Sequence, residues 1–98
     1  MFGIYAESLQ KILEILQSYP AIDQVLIYGS RANGNFREGS DIDLTFKGKI
    51  TSDELDDIRQ KLDDSFIPYI FDLSRFKDIK NQNLLDHINR VGTIFYKK

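Results

Sequence analysis

The sequence contains no cysteine and no tryptophan, only two prolines, and no long hydrophobic run. The lack of cysteine excludes disulfides, a thiolate nucleophile and thiolate-bound zinc or iron–sulfur centres, and it makes a reducing cytoplasm the expected compartment. Apolar runs such as Val25–Tyr28 are far shorter than the about 20 residues of a transmembrane helix. The first residues also lack the basic and apolar pattern of a signal peptide. We therefore expect a cytoplasmic protein with no membrane association.

The sequence also has no large excess of either charge, because it contains 13 Lys+Arg and 15 Asp+Glu and its net charge is −2. A protein that binds nucleic acid without sequence preference needs a basic surface, so we expect no direct nucleic-acid partner. The charge is uneven along the chain: residues 51–74 are acidic and residues 75–98 are basic. This asymmetry favours a basic face toward a partner or a phosphate-bearing ligand.

The 98 residues are enough for one domain, 1–98, with its own core. Apolar periodicity and turn residues predict the order α-β-(turn)-β-α-β-α-β. This order indicates an α/β (α+β) fold, in which a mixed sheet of about four strands packs with three or more helices on one or both faces. The predicted elements are a helix at Tyr5–Ser18, a strand at Gln24–Tyr28, a strand at Asp41–Phe46, a helix after the capping box of Thr51 and Glu54, a strand at Tyr69–Leu73, a helix at Leu84–Val91 and a strand at Thr93–Tyr96.

Three polar features of the sequence point to phosphate and metal chemistry. Gly29-Ser30 follows a buried strand and opens a turn where backbone N–H groups can approach an anion. Asp41 and Asp43 alternate with apolar residues, so both carboxylates are expected on one face of a strand. Asp72 repeats the pattern on a later strand. Oxygen-only ligands beside a phosphate-binding turn favour Mg²⁺ and phosphoryl or nucleotidyl transfer.

These residues resemble the signature of the polymerase-β-like nucleotidyltransferase superfamily, in which a Gly-Ser pair is followed by ten residues and Asp-x-Asp. Here the pair is Gly29-Ser30 and the carboxylates are Asp41 and Asp43, with Asp72 at the position of the third carboxylate. The size of the chain is similar to that of the minimal nucleotidyltransferases (MNT), the MntA-like antitoxins of type VII HEPN/MNT toxin–antitoxin systems.

The resemblance implies a protein adenylyltransferase that moves AMP from ATP to a tyrosine hydroxyl of a HEPN-domain ribonuclease toxin and so neutralises it. It implies that Asp41, Asp43 and Asp72 are catalytic and bind Mg²⁺, two ions in all, and that ATP is the co-substrate. Gly29, Ser30 and Arg31 would bind the nucleotide, and a hetero-oligomer with the toxin is expected. Relatives often carry a second arginine where this chain has Asn33, so no phosphate role is assigned there, and Arg37 is an alternative.

Other interpretations stay open at this point. Arg31 is either a phosphate ligand or a solvated side chain, Ser40 either contacts a phosphate or closes the loop, and His87 is expected at the surface or rim. The protein is alternatively a non-catalytic antitoxin that occludes its toxin, or a nucleotidyltransferase for a small hydroxylated substrate such as an aminoglycoside. A P-loop is excluded, because Asn35 and Phe36 stand where Lys and Ser/Thr are required.

Overall fold

A computed structural model describes residues 2–34, 37 and 39–98. Two of the helical segments in the described chain are short. One is the single turn Ser30–Asn33, and the other is a 3-10 helix at Phe76–Asp78. The longer helices are the amphipathic ones that sequence periodicity predicts. The helices are α1 (Ala6–Gln17), α2 (Ser30–Asn33), α3 (Ser52–Asp64) and α4 (Gln82–Val91).

The strands form one mixed four-stranded sheet in the order β3-β2-β1-β4. The central pair β1 and β2 is antiparallel, β4 pairs antiparallel with the other edge of β1, and β3 pairs parallel with β2. The parallel pair is connected through α3, as such pairs require a crossover. The strands are β1 (Ile22–Tyr28), β2 (Ile42–Gly48), β3 (Phe71–Arg75) and β4 (Thr93–Lys97).

One face of the sheet carries the main hydrophobic core. Alternate residues of β2, namely Ile42, Leu44 and Phe46, are buried there, as expected for a period of two. Helices α1 and α3 cover this face with the stripes that contain Leu16 and Ile58. The opposite face of β1 is covered by α4. The helices therefore lie on both faces of the sheet.

Helix α3 begins at the predicted capping box. The Thr51 hydroxyl accepts from the Glu54 N–H (3.1 Å), and the Glu54 carboxylate accepts from the Thr51 N–H (3.1 Å). On its surface Asp57 and Lys61 form an i,i+4 ion pair at 3.5 Å. No helix in the described part of the chain has the length and apolar content needed to cross a membrane.

The predicted order of elements is confirmed, and the boundaries shift by at most two residues. One shift affects a candidate site residue. Asp41 was predicted as the first residue of a strand, but β2 begins at Ile42, whose N–H donates to the Ile70 carbonyl (2.8 Å). Asp41 lies before this first bond between strands and is exposed.

Candidate active site

The end of β1 forms a turn that only glycine accommodates. Gly29 has φ +78° and ψ −157°, a region essentially restricted to glycine. A Cβ atom at this position would overlap Oδ2 of Asp43 on the neighbouring strand. The backbone of Gly29 is therefore packed directly against the Asp43 carboxylate, and Ser30 follows as the first residue of α2.

The sheet register brings the predicted carboxylates to the same region. Asp43 pairs with Tyr28 on β1 and with Asp72 on β3, so the turn and two carboxylates lie in one row across three strands. Asp43 is partly buried, whereas Asp41 and Asp72 are exposed. The sequence-based expectation that a neighbouring strand places Asp72 beside the Asp-x-Asp pair is met by the parallel pairing of β2 with β3.

The electrostatics of this row are unfavourable for an ionised Asp43. Burial raises the pKa of the Asp43 carboxyl, the charges of Asp72 and Asp41 raise it further, and His87 opposes them by lowering it. Like charges that share a site have this effect because each disfavours ionisation of the others. A divalent cation would relieve the repulsion.

The donor chemistry at this row fits Mg²⁺, which prefers carboxylate oxygens. Within residues 2–34, 37 and 39–98, no three acidic or imidazole side chains form a preassembled metal-binding group. The assignment of Asp41, Asp43 and Asp72 as metal ligands thus stays a prediction, supported by the oxygen donors and by the raised pKa of Asp43.

The raised pKa of Asp43 predicts an unusual pH dependence of stability. Because the folded state binds this proton more tightly than the unfolded chain, ionised Asp43 destabilises the fold at neutral pH, and the penalty disappears as the pH falls through the raised pKa. We expect Asp43→Asn to raise the melting temperature at pH 7 in the presence of a chelator, and the gain to shrink toward acidic pH. Thermal melts of both proteins from pH 4 to 8 measure this, and a less stable Asp43→Asn protein at pH 7 would contradict it.

A set of hydroxyl groups lies beside the carboxylates and was not anticipated from the sequence. The Ser74 hydroxyl donates to the Thr45 hydroxyl (3.0 Å), two register positions from Asp72 and Asp43 and on the same face of the sheet. Burial raises the pKa of the Tyr28 phenol, a hydrogen bond with Ser74 opposes this, and Asp72 and Asp43 raise it further. Tyr28 thus remains a neutral phenol at the floor of the site. In the sequence, the only signal for this position of Tyr28 was the alternation of β1 side chains between the two faces of the sheet.

His87 lies at the rim of the site and makes specific contacts there. Its side chain is partly buried, and its Nε2 accepts a hydrogen bond from the Gly29 N–H (3.2 Å). The ring also meets the Tyr28 ring edge-on, with 6.3 Å between centroids. The sequence placed His87 correctly on the last helix, but it did not show that this helix crosses the sheet beside the end of β1.

Arg31 is not a solvated side chain, since only 3% of the residue is exposed. Its Nε and Nη2 donate to the Ser40 carbonyl (3.0 and 2.9 Å), and its Nη1 donates to the carbonyls of Phe2 and Gly3 (3.0 and 3.3 Å). The guanidinium also lies 5.1 Å from the centre of the Tyr69 ring. Arg31 thus joins α2 to the N-terminal segment and to the residue before Asp41. Its predicted contact with a triphosphate stays a prediction.

These contacts predict a structural effect of a conservative change at Arg31. Lysine keeps the positive charge but lacks the planar fork that donates twice to Ser40. We expect Arg31→Lys to lower the free energy of unfolding by about 1–3 kcal/mol, because buried carbonyls lose their donors. Denaturant titration measures the loss, and Arg37→Lys, at an exposed side chain, is the matched control. Equal stability of the two variants would contradict the structural role.

Ser40 closes the loop in this structure. Its hydroxyl accepts from the Arg37 N–H (2.9 Å), and its own N–H donates to the Arg37 carbonyl (2.9 Å). The alternative in which Ser40 contacts a phosphate stays a prediction. Asn35, Phe36 and Glu38 lie outside the described residues, as does the side chain of Asn33.

Comparison with known proteins agrees with this geometry. No curated protein sequence matches the chain significantly. Among solved structures, a chain of a toxin–antitoxin complex with AMP-PNP superposes with a TM-score of 0.72 at 22% identity, covering 92% of this chain and 73% of that one. A chain of the complex of tri-AMPylated Shewanella oneidensis HEPN toxin with its MNT antitoxin gives a TM-score of 0.66 at 17% identity, covering 94% and 71%.

A nucleotidyltransferase structure from Sulfolobus solfataricus gives a TM-score of 0.50 at 25% identity and covers 94% of this chain and 86% of that one. The family model described as polymerase beta, nucleotidyltransferase, matches residues 10–98. That range contains the Gly29-Ser30 turn, all three carboxylates and the four strands. The chain therefore belongs to the polymerase beta nucleotidyltransferase family.

Proposed function

We propose that this protein is an MNT antitoxin that transfers AMP from ATP to a tyrosine hydroxyl of a HEPN-domain toxin and thereby neutralises it. The observation that carries the proposal is the row formed by the Gly29 turn, Asp43 and Asp72 across three adjacent strands. The similar solved complexes support it, because one contains AMP-PNP and another an AMPylated HEPN toxin. Since ATP and a ribonuclease toxin are cytoplasmic, we propose the same compartment for this protein.

In the proposed reaction the acceptor hydroxyl gives up its proton to solvent and its oxygen forms a bond to the α-phosphorus of ATP. The bond between the α-phosphorus and the bridging oxygen breaks, and pyrophosphate leaves. The Ser30 hydroxyl and the turn at Gly29 bind the phosphates, as turns of this type can. Asp41, Asp43 and Asp72 would hold Mg²⁺, which neutralises phosphate charge when bound. Asp72, exposed on β3, is also positioned to orient the acceptor hydroxyl.

Exposed apolar side chains support a protein as the acceptor. Ile70 is 69% exposed and Phe66 is 91% exposed, and both belong to the segment that leads into β3 and Asp72. Exposed apolar side chains at such a position can mark a contact between proteins. Because one sheet face is assigned to the metal and the nucleotide, little of the chain is left to bind a small acceptor molecule. A partner protein that presents its own hydroxyl group within a hetero-oligomer therefore fits best.

Intact-mass spectrometry tests the proposal. A HEPN-domain toxin, sought among the products of neighbouring genes, is incubated with this protein, ATP and Mg²⁺, and we expect one or more added adenylyl groups. An unmodified toxin held in a tight, inactive complex would instead support occlusion. ATP turnover that depends on a small hydroxylated compound and ignores the toxin would support the third alternative.

A further inference from the structure

The amide of Gly29 has a partner in a different layer of the protein. Gly29 ends β1, and its N–H donates to Nε2 of His87 on α4 (3.2 Å). Nε2 is thus the acceptor nitrogen of the ring in this contact. Helix α4 thus supplies a specific acceptor to the one residue of the turn whose backbone touches Asp43.

The imidazole is held by a ring contact of its own and by the anchoring of its helix. The next residue, Ile88, is buried and anchors α4 on the sheet. The Tyr28 ring meets the His87 ring edge-on. At the start of the helix the Asn81 side chain accepts from the Leu84 N–H (3.1 Å). A side chain held in this way can orient a second group with little loss of rotamer freedom.

The orientation of Gly29 has a direct consequence for the carboxylate row. There is no space for a Cβ atom between Gly29 and Oδ2 of Asp43, so the backbone of Gly29 lies directly against the carboxylate. Ser30 follows in the same turn. A hydrogen bond that holds the Gly29 amide therefore constrains how the turn packs against Asp43.

We propose that His87 is a positioning residue for nucleotidyl transfer, which acts by accepting the Gly29 N–H and so fixing the β1 turn against Asp43. The activity measurements for this role rest on the proposed function, whereas the hydrogen bond between His87 and Gly29 does not depend on that function. In this role the imidazole makes no direct contact with the nucleotide.

Two substitutions at His87 distinguish the effect of the hydrogen-bond acceptor from the effect of the aromatic ring. His87→Gln keeps an acceptor atom near the position of Nε2 and loses the aromatic ring, whereas His87→Phe keeps a ring beside Tyr28 and loses the acceptor. Asn89→Ala, at an exposed position of the same helix, is the control. For each protein we would measure hydrogen exchange of the Gly29 amide by NMR, the affinity for AMP-PNP with Mg²⁺, the rate of adenylyl transfer and the melting temperature.

We expect His87→Phe to speed exchange of the Gly29 amide at least tenfold and to reduce kcat/KM for ATP about ten- to a hundredfold, at a melting temperature close to that of His87→Gln. The glutamine variant should stay within about threefold of the wild type in exchange and transfer. Equal behaviour of the two variants in both readouts would overturn the proposal. So would loss of transfer in both with unchanged exchange at Gly29, because the imidazole would then act directly.

Failure of the proposed function is seen separately, in the wild-type protein. If the wild type does not modify the toxin, the adenylyltransferase proposal fails. The exchange of the Gly29 amide and the affinity for AMP-PNP still decide whether His87 positions the turn. A Gly29 amide that exchanges at the same rate in the phenylalanine variant and in the wild type would reject the positioning role in either case.

Discussion

Replacement of Asp43 by asparagine is expected to reduce adenylyl transfer by about a thousandfold or more. Asp43 is the partly buried carboxylate at the centre of the row, beside the Gly29 turn and in register with Asp72. An amide cannot replace its charge toward Mg²⁺ and phosphate, and a loss of several kcal/mol of transition-state stabilisation corresponds to a factor of this size. Intact-mass time courses of the toxin measure the rate, and Asp63→Asn, on the exposed side of α3, is the matched control.

The same variant distinguishes catalysis from occlusion. If Asp43→Asn folds, binds the toxin and still silences it without modification, neutralisation does not need transfer. If transfer continues above about a tenth of the wild-type rate, far more than loss of a metal ligand allows, the central role of Asp43 is wrong. Because the substitution is also expected to stabilise the fold at neutral pH, a loss of activity would not be explained by unfolding. Such a trade between stability and function is common at active sites.

Gly29→Ala is expected to abolish activity and to lower stability by about 2–4 kcal/mol. Two separate costs add at this position. The φ of +78° and ψ of −157° are strained for any residue with a Cβ, and the added methyl group would displace the Asp43 carboxylate. Transfer assays and denaturant titration measure the two effects.

Gly34→Ala is an informative control for this experiment. Gly34 also has a positive φ, +83°, but a Cβ atom there would meet no neighbouring atom within 4 Å. The control therefore carries the backbone cost of about 1–2 kcal/mol without the collision. We expect it to retain most of the transfer activity. Similar losses in Gly29→Ala and Gly34→Ala would show that contact with Asp43 is not the cause.

The fold and the principal carboxylates were predictable because each depends on local patterns. The alternation around Asp43 and the helical spacing in α1 and α3 directly reflect which side chains face the core. The position of Asp72 required one further inference, that a later strand lies beside β2. The parallel pairing of β2 with β3 confirms it.

The contacts of His87 and Arg31 were not predictable for a physical reason. His87 is 58 residues from Gly29 along the chain, and its role depends on the angle at which α4 crosses the sheet. Arg31 is near Gly29 in sequence, and its motif suggested a phosphate ligand, yet its guanidinium reaches back to Phe2 and Gly3. Hydrophobic periodicity contains no information about either distance.

The pairing of β1 with β4 imposes an order on the biogenesis of this protein. β1 is central to the sheet, but its residues from Gln24 to Ile27 bond to a strand that the ribosome makes about seventy residues later. Until then, one edge of a strongly apolar strand lacks its partner, and such edges recruit other chains. A nascent chain halted before β4 would be a substrate for chaperones and proteases, not a partly active enzyme. Any activity of this protein would thus begin only after translation has passed residue 97.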